Sequence, residues 1–233
     1  MALNEEQAKF VAAVMAARGN GMRNHIACGG GGGTGKTKVT KHLIEAVRGS
    51  VHDGRPDVST FVLSPTNRGV ALYRTSKIEG VVVKTNDSFL KTGGKQVSDI
   101  PWGFRKLLAA GWGCEHFGPA SHTGCGVFIV DEAWSMSAEM ANLLLRAAEA
   151  LFPPSNPARF MFVLVGDPLQ LPPVEGGSFW LSRFWCPGKG DRATVLKMLT
   201  QNMRQDKDAW FARAAASMRL PPGHRRPGDQ LLY

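Results

Sequence analysis

What the chain has little of narrows its class first. Only four of its 233 residues are cysteine, widely spaced at Cys28, Cys114, Cys125 and Cys186. That spacing is no disulfide framework, and it predicts an intracellular setting. No apolar run approaches the roughly 20 residues of a membrane helix, so no membrane partner is expected. The opening "MALNEEQAKF" carries acids early and has no apolar core behind a basic flank. It reads as neither a secretory signal nor a transit peptide. The expected location is the nucleus or mitochondrion in a eukaryote, and otherwise the cytoplasm or a virus. Charged residues are scarce at 20%, against 43% apolar, which excludes a disordered chain and allows a sizeable core. Acids are outnumbered, 19 to 28, and the net charge of +9 suits a phosphate-rich partner such as nucleic acid.

Apolar periodicity along the chain alternates between strand and helix. A helix is predicted from Asn4 to about Arg18, with an apolar face of Ala8, Val11, Ala12 and Met15 and a capping-box spacing from Asn4 to Gln7. A short strand over His25 to Cys28 leads into the glycine run Gly29 to Gly33, and a helix follows from Lys36 to about Val47. "GSVHDGRPD" reads as a loop. "VSTFVLS", "GVVVKT", "GVFIVDEAW", "RFMFVLVGD" and "TVLKMLT" read as strands, and "PTNRGVALYRTS", "SAEMANLLLRAAEALF" and "QDKDAWFARAAASMRL" as helices. Residues 91–126 form an irregular Gly-rich connection, and the tail over 221–233 is a linker or frayed end. This alternation predicts an α/β domain with a central, mainly parallel sheet and helices on both faces.

The glycine run raises a question of linker or cradle. Gly30-x4-Gly35-Lys36-Thr37 matches G-x-x-x-x-G-K-[ST] in full. Glycines let backbone N–H groups turn inward toward phosphates, and the start of the next helix offers its positive dipole end. Gly33 serves the tight turn before Thr34. Lys36 is expected to reach the β- and γ-phosphates of ATP, and Thr37 to place a hydroxyl on Mg²⁺. A chance Gly-rich loop is the bland alternative, and the flanking strand and helix weigh against it.

Such a loop requires an acid at the end of another strand. "VFIVDEA" supplies Asp131 for Mg²⁺ and Glu132 to orient or deprotonate the attacking water. A solvated helix-start charge pair is the alternative. "LVGDPLQLPPV" then places Asp167 and Gln170 past a third apolar strand. Gln170 could sense the γ-phosphate or the water, or the segment could be a plain Gly-Asp-Pro turn. "CEHFGPASHTGC" offers Cys114, His116, His122 and Cys125 as zinc ligands. Its C-x-H pair is tighter than common zinc spacings, and an irregular connection with incidental ligands is the preferred reading.

The order "LNEEQ", "GGGGTGKT", "LSPTNRGVA", "TNDSFL", "FIVDEAWSMS", "VGDPLQLPPV", "LTQNMRQDKDAWF" resembles the PIF/RecD-like branch of superfamily 1B helicases, over nearly the whole chain. The resemblance implies one RecA-like P-loop domain over residues 1–220, with ATP and Mg²⁺ as cofactors. It implies DNA helicase activity with 5′→3′ movement on single-stranded DNA. It also implies that Gln7 reads adenine, that Arg204 touches the γ-phosphate, and that Thr66, Asn67, Arg68, Ser88 and Phe89 meet the strand. Gln7 as a helix cap, Arg204 as a surface arginine and Phe89 as core are the alternatives. The family motor uses a second RecA-like domain whose motifs are not found here, so the expectation is a fragment or a domain that works with a partner, in cis or in trans. A non-motor module binding nucleotide or single strands, and a viral RNA helicase domain, are the rival functions.

Overall fold

The computed structural model of the chain describes residues 2–22, 24–48, 51–52, 55–56, 58–74, 81–90, 125–152, 160–188 and 192–203. The predicted connection over 91–126 lies outside them as far as residue 124, its last two residues opening a strand. The helix "QDKDAWFARAAASMRL" and the tail lie outside them too, as do Cys114, His116, His122 and Arg204.

The first helix, α1 (Glu5–Gly19), starts as its capping box predicts. Asn4 Oδ1 accepts the Gln7 N–H at 2.8 Å, and the Gln7 side chain accepts the Asn4 N–H at 3.1 Å. Its fully buried residues are Gln7, Phe10 and Val14; of the expected face, Val11 and Met15 pack partly buried against the same core, whereas Ala8 and Ala12 are exposed. Alanine recurs all round this helix and leaves the stripe ambiguous. The bulk of Phe10, worth about 1.5–3 kcal/mol when fully buried, decides the rotation.

Six strands form one sheet in the order β5–β4–β6–β7–β1–β8, every pairing parallel. They are β1 (His25–Gly30), β4 (Val58–Ser64), β5 (Val81–Thr85), β6 (Cys125–Val130), β7 (Phe160–Gly166) and β8 (Thr194–Leu199). The expected loop "GSVHDGRPD" contains instead a small antiparallel pair, β2 (Val51–His52) and β3 (Arg55–Pro56). Four more helices among the described residues are α2 (Lys36–Arg48), α3 (Asn67–Arg74), α4 (Asn86–Leu90) and α5 (Ala138–Leu151), the last capped by Ser137.

Side-chain alternation divides the core by residue type. Phe61, Phe128, Phe160 and Phe162 point to one face, where they stack under α4 and α5 with Phe89, Phe152 and Phe184. Val62, Val127, Ile129, Met161, Val163 and Val165 point to the other, under α1, α2 and α3. Both faces are covered, which is why the central strands are apolar throughout. All six strands run the same way, so their carboxyl ends gather on one edge. In open α/β sheets ligands bind at that edge, and the motif residues lie there.

Candidate nucleotide and single-strand site

The glycine run is divided between a strand and a loop. Gly29 and Gly30 are the last residues of β1, beyond the predicted end at Cys28. Neither is merely flexible. A Cβ on Gly29 would come within 2.5 Å of Met198 Sδ, and one on Gly30 within 2.7 Å of Thr34 Oγ1 and 3.1 Å of the Leu199 carbonyl. The cradle proper begins at Gly31. Gly33 and Gly35 both hold φ at +83°, in the left-handed region that glycine occupies without penalty. Thr34 is buried, and its hydroxyl donates to the Gly31 carbonyl at 2.9 Å. Lys36 opens α2, which has no acid in its first turn to oppose an anion. Its ammonium donates to the Gly30 and Gly31 carbonyls at 2.8 and 3.0 Å.

The loop rests on residues far away in sequence. Gln7 is fully buried, and its Nε2 donates to the Thr34 carbonyl at 3.0 Å. The structure therefore gives Gln7 both the cap and a strut beneath the loop. The segment that follows β8 closes the other side, where Met203 N–H donates to the Gly33 carbonyl at 2.8 Å and Asn202 Nδ2 to Gly32 O at 3.3 Å. Glu6 holds that segment in place by accepting the Thr200 hydroxyl and amide and the Gln201 amide. Those bonds, the Thr200 hydroxyl first, lower the Glu6 pKa from its ordinary value. Both lie in stretches that carry the resemblance, "LNEEQ" and "LTQNMR", but sequence alone assigns Glu6 and residues 200–203 no role of their own.

These contacts separate two glycine substitutions. Gly32→Ala meets nothing within 4 Å, and its φ is not in the left-handed region. It is expected to leave nucleotide affinity unchanged and to raise stability by about 0.4–1 kcal/mol through the unfolded state. Gly35→Ala would put a Cβ 2.5 Å from Gln7 Nε2, at φ +83°. Gln7 is bonded at both ends of its amide and cannot swing aside. This variant is expected to lose about 1–3 kcal/mol, most of it in loop geometry. Thermal unfolding and titration with a fluorescent nucleotide check both, and equal effects would overturn the distinction.

Asp131 follows β6 and is 6% exposed. Its Oδ2 accepts the Tyr73 hydroxyl at 2.7 Å and its Oδ1 the Glu132 amide at 3.1 Å. Burial raises the Asp131 pKa, and the Tyr73 hydrogen bond works against that rise. Burial and the neighbouring Asp131 carboxylate push the Tyr73 phenol far up. Tyr73 is a contact of the Asp131 carboxylate that sequence reasoning missed. Its position on the amphipathic α3 reads as ordinary core, and only the topology brings it across to β6.

Glu132 is one of two non-glycine residues with positive φ among the described residues, at +51°. Such a conformation costs about 1–2 kcal/mol, and strain of this kind gathers at functional sites. It swings the chain over the end of β7, where Gly166 makes room. A Cβ there would lie 3.0 Å from the Trp134 ring and 3.1 Å from the Ala133 nitrogen. Glu132 Oε2 then accepts Gln170 Nε2 at 3.0 Å. Asp167 takes the turn role weighed for it. It is buried, its Oδ1 accepts Leu169 N–H at 3.1 Å, and its carbonyl accepts Gln170 N–H. The turn and Gln170 are one device, the first aiming the second at Glu132.

Thr66, Asn67, Arg68 and Ser88 are exposed on the same edge. Thr66 Oγ1 caps α3 by accepting Gly69 N–H at 3.1 Å. Phe89 is a correction. It is 2% exposed and packs edge-on against Phe61 and Phe128, at 5.9 and 6.1 Å between ring centres. Its ring belongs to the core and has no face to offer a base.

Thr37 and Asp131 fit Mg²⁺. The donors are a hydroxyl and a buried carboxylate contacted by neutral donors. A hard cation that keeps its waters and takes phosphate oxygens needs few protein ligands. Among the described residues no cluster of three or more His, Cys, Asp or Glu forms a metal site.

The profile of the AAA domain family matches residues 2–227. Among solved structures, the Pif1 helicase from Candida albicans aligns with 98% of this chain and 46% of its own, at 20% identity and a TM-score of 0.66. Bacteroides Pif1 bound to ssDNA aligns over 94% and 46%, at 20% identity and 0.57. Pif1 from Bacteroides sp in complex with ADP-AlF4 aligns over 96% and 48%, at 18% identity and 0.54. At these identities the likeness establishes a shared fold. The chain spans about half the length of these structures. Comparison with curated proteins gives no match.

Proposed function

Since the chain belongs to the AAA domain family, we propose that it is the first motor domain of a PIF/RecD-like superfamily 1B DNA helicase, hydrolysing ATP to move 5′→3′ along single-stranded DNA. The observation that carries this reading is the Glu132–Gln170 pair, 3.0 Å apart beside the buried Asp131, on the edge that also holds the P-loop. A passive nucleotide switch needs the cradle. Placing an acid in a strained conformation and orienting it with a glutamine serves hydrolysis.

In this reading the loop amides and Lys36 hold the phosphates, and Gln7 keeps the loop in shape while offering its remaining amide hydrogen toward adenine. Thr37 and Asp131 would hold Mg²⁺, which would supply neutralising charge to the phosphates. Glu132 takes the proton of the attacking water, and Gln170 fixes the direction of its carboxylate. Arg204, which follows Met203 in the chain, would bring a second cation to the γ-phosphate. Thr66, Asn67, Arg68 and Ser88 would take phosphates of the strand. A second RecA-like domain would complete the motor, and the exposed Leu169, Leu171 and Val174 beside Gln170 give it an apolar landing surface.

The test is ATP hydrolysis by the chain, alone and with oligo-dT or oligo-U, together with strand binding across a salt series. Oligo-dT is expected to stimulate turnover more than oligo-U. Log affinity should fall linearly with log salt, at about −0.7 per phosphate neutralised. Nucleotide binding without any response to either strand would favour the non-motor module. Stimulation by oligo-U alone would favour the RNA helicase.

A further inference from the structure

α3 joins two parts of the site that lie far apart in sequence. Its start carries the exposed Thr66, Asn67 and Arg68, and near its end Tyr73 is 3% exposed with its hydroxyl on Asp131 Oδ2. The helix has a second fixed point between these. Gly69 sits so close to the end of β4 that a Cβ would come within 1.9 Å of Ser64 Oγ. A helix this short and held this closely moves as one piece. Asp131 is held to the neighbouring strand by its own amide, which donates to the Leu63 carbonyl at 2.8 Å. Its backbone therefore stays with the sheet, and its carboxylate answers to α3. The phenol has an alternative partner at hand. The fully buried Thr40 hydroxyl, on α2, is near enough to draw the phenol's pKa down against the larger rise, yet it completes no well-formed hydrogen bond. Tyr73 thus sits on the helix that carries the strand motif, faces the helix that follows the P-loop, and bonds the carboxylate between them.

We propose that Tyr73 is a positioning residue that couples occupancy of the single-strand surface at the start of α3 to the placement of the Asp131 carboxylate. The proposal rests on the helicase reading above. When a strand engages Thr66 to Arg68, α3 shifts and the phenol moves between Asp131 and Thr40. That shift sets how Asp131 meets the cation beside the nucleotide. Coupling between two sites is reciprocal, so Mg²⁺–nucleotide must change strand affinity by the same factor.

The experiment measures the affinity of the whole chain for fluorescent oligo-dT, with and without a non-hydrolysable ATP analogue, in Mg²⁺ and in EDTA. Wild type is expected to show a change of roughly fivefold or more with Mg²⁺–nucleotide, and little change in EDTA. Tyr73→Phe, which keeps the ring and removes the hydroxyl, should bind each ligand alone nearly as wild type does while its coupling factor falls toward one. A merely structural tyrosine would lower both affinities and leave the factor intact. An unchanged factor in Tyr73→Phe, or a factor of one in wild type, overturns the proposal. Amide exchange on the wild-type chain gives a second test that needs no variant. The 70–74 amides should exchange more slowly once Mg²⁺–nucleotide is added, and no change there overturns the proposal as well. Wild type that binds nucleotide and strand without coupling sinks the role of Tyr73 alone, whereas wild type that binds neither sinks the helicase reading and the coupling with it.

Discussion

Glu132→Gln is expected to lower ATP turnover by roughly 10²- to 10⁴-fold, the range a general base supplies, while nucleotide affinity stays within a few-fold. The two side chains have the same shape, so the left-handed backbone at φ +51° and the fit over Gly166 are retained. What disappears is the basic oxygen. The Gln170 amide would still find an acceptor at 3.0 Å in the new side chain. The orientation survives and the chemistry does not, which makes this a test of proton removal rather than of folding. Gln170→Ala is the companion. It leaves the base in place without its guide and should cost less. Single-turnover hydrolysis measured beside analogue binding separates the two steps. If Glu132→Gln hydrolysed ATP at the wild-type rate, Glu132 would be no more than a charge at a turn. Asp131 would then be the remaining acid, and its burial and its contact with Tyr73 leave it badly placed to take a proton from water.

The parts of this site that were legible in sequence are those whose chemistry needs a fixed local spacing. The P-loop glycines, Lys36 and Thr37 are contiguous because a single turn must face the phosphates. Asp131 and Glu132 were legible because a continuous apolar strand ended on them. The parallel sheet was legible because strands covered on both faces lose their alternation, as β6 and β7 do. The supports were not legible. Tyr73 meets Asp131 across 58 positions of sequence, and Glu6 meets Thr200 across 194. No local pattern records such distances, since only the strand order brings those elements together. Phe89 was ambiguous for a different reason. An aromatic residue just after a strand end can serve stacking as well as core, and the two phenylalanine rings it meets, Phe61 on β4 and Phe128 on β6, lie on separate elements. The face of α1 was read only in part, Val11 and Met15 but not Phe10 and Val14, because alanine carries too little bulk to mark a stripe. Gly29 was underestimated because the sequence places it outside the motif, whereas the tight approach of Met198 from β8 is a tertiary fact.

Lys36→Ala carries the other large effect, and its argument starts from the lysine's present partners. The ammonium bridges the Gly30 and Gly31 carbonyls at 2.8 and 3.0 Å. One reading makes it a staple that merely closes the loop. The other makes it a cation stored where phosphate arrives, its bonds to carbonyls exchanged for stronger ones to an anion. A staple contributes to stability, whereas a phosphate ligand contributes to affinity in proportion to phosphate charge. Charge-assisted hydrogen bonds contribute about 1.5–3 kcal/mol each, so removal should weaken ATP binding by roughly 10- to 150-fold. Adenosine, which presents no phosphate, should bind the variant as it binds wild type. Calorimetric titration with ATP, ADP and adenosine gives the comparison, and the loss is expected to grow along the series from adenosine to ATP. Thermal unfolding of the nucleotide-free variant should move little, because the loop keeps the Thr34 hydroxyl on Gly31, the Gln7 amide on Thr34 and the Met203 amide on Gly33. A large loss of stability with equal affinities for all three ligands would make Lys36 a staple and remove the P-loop assignment on which the proposed function stands.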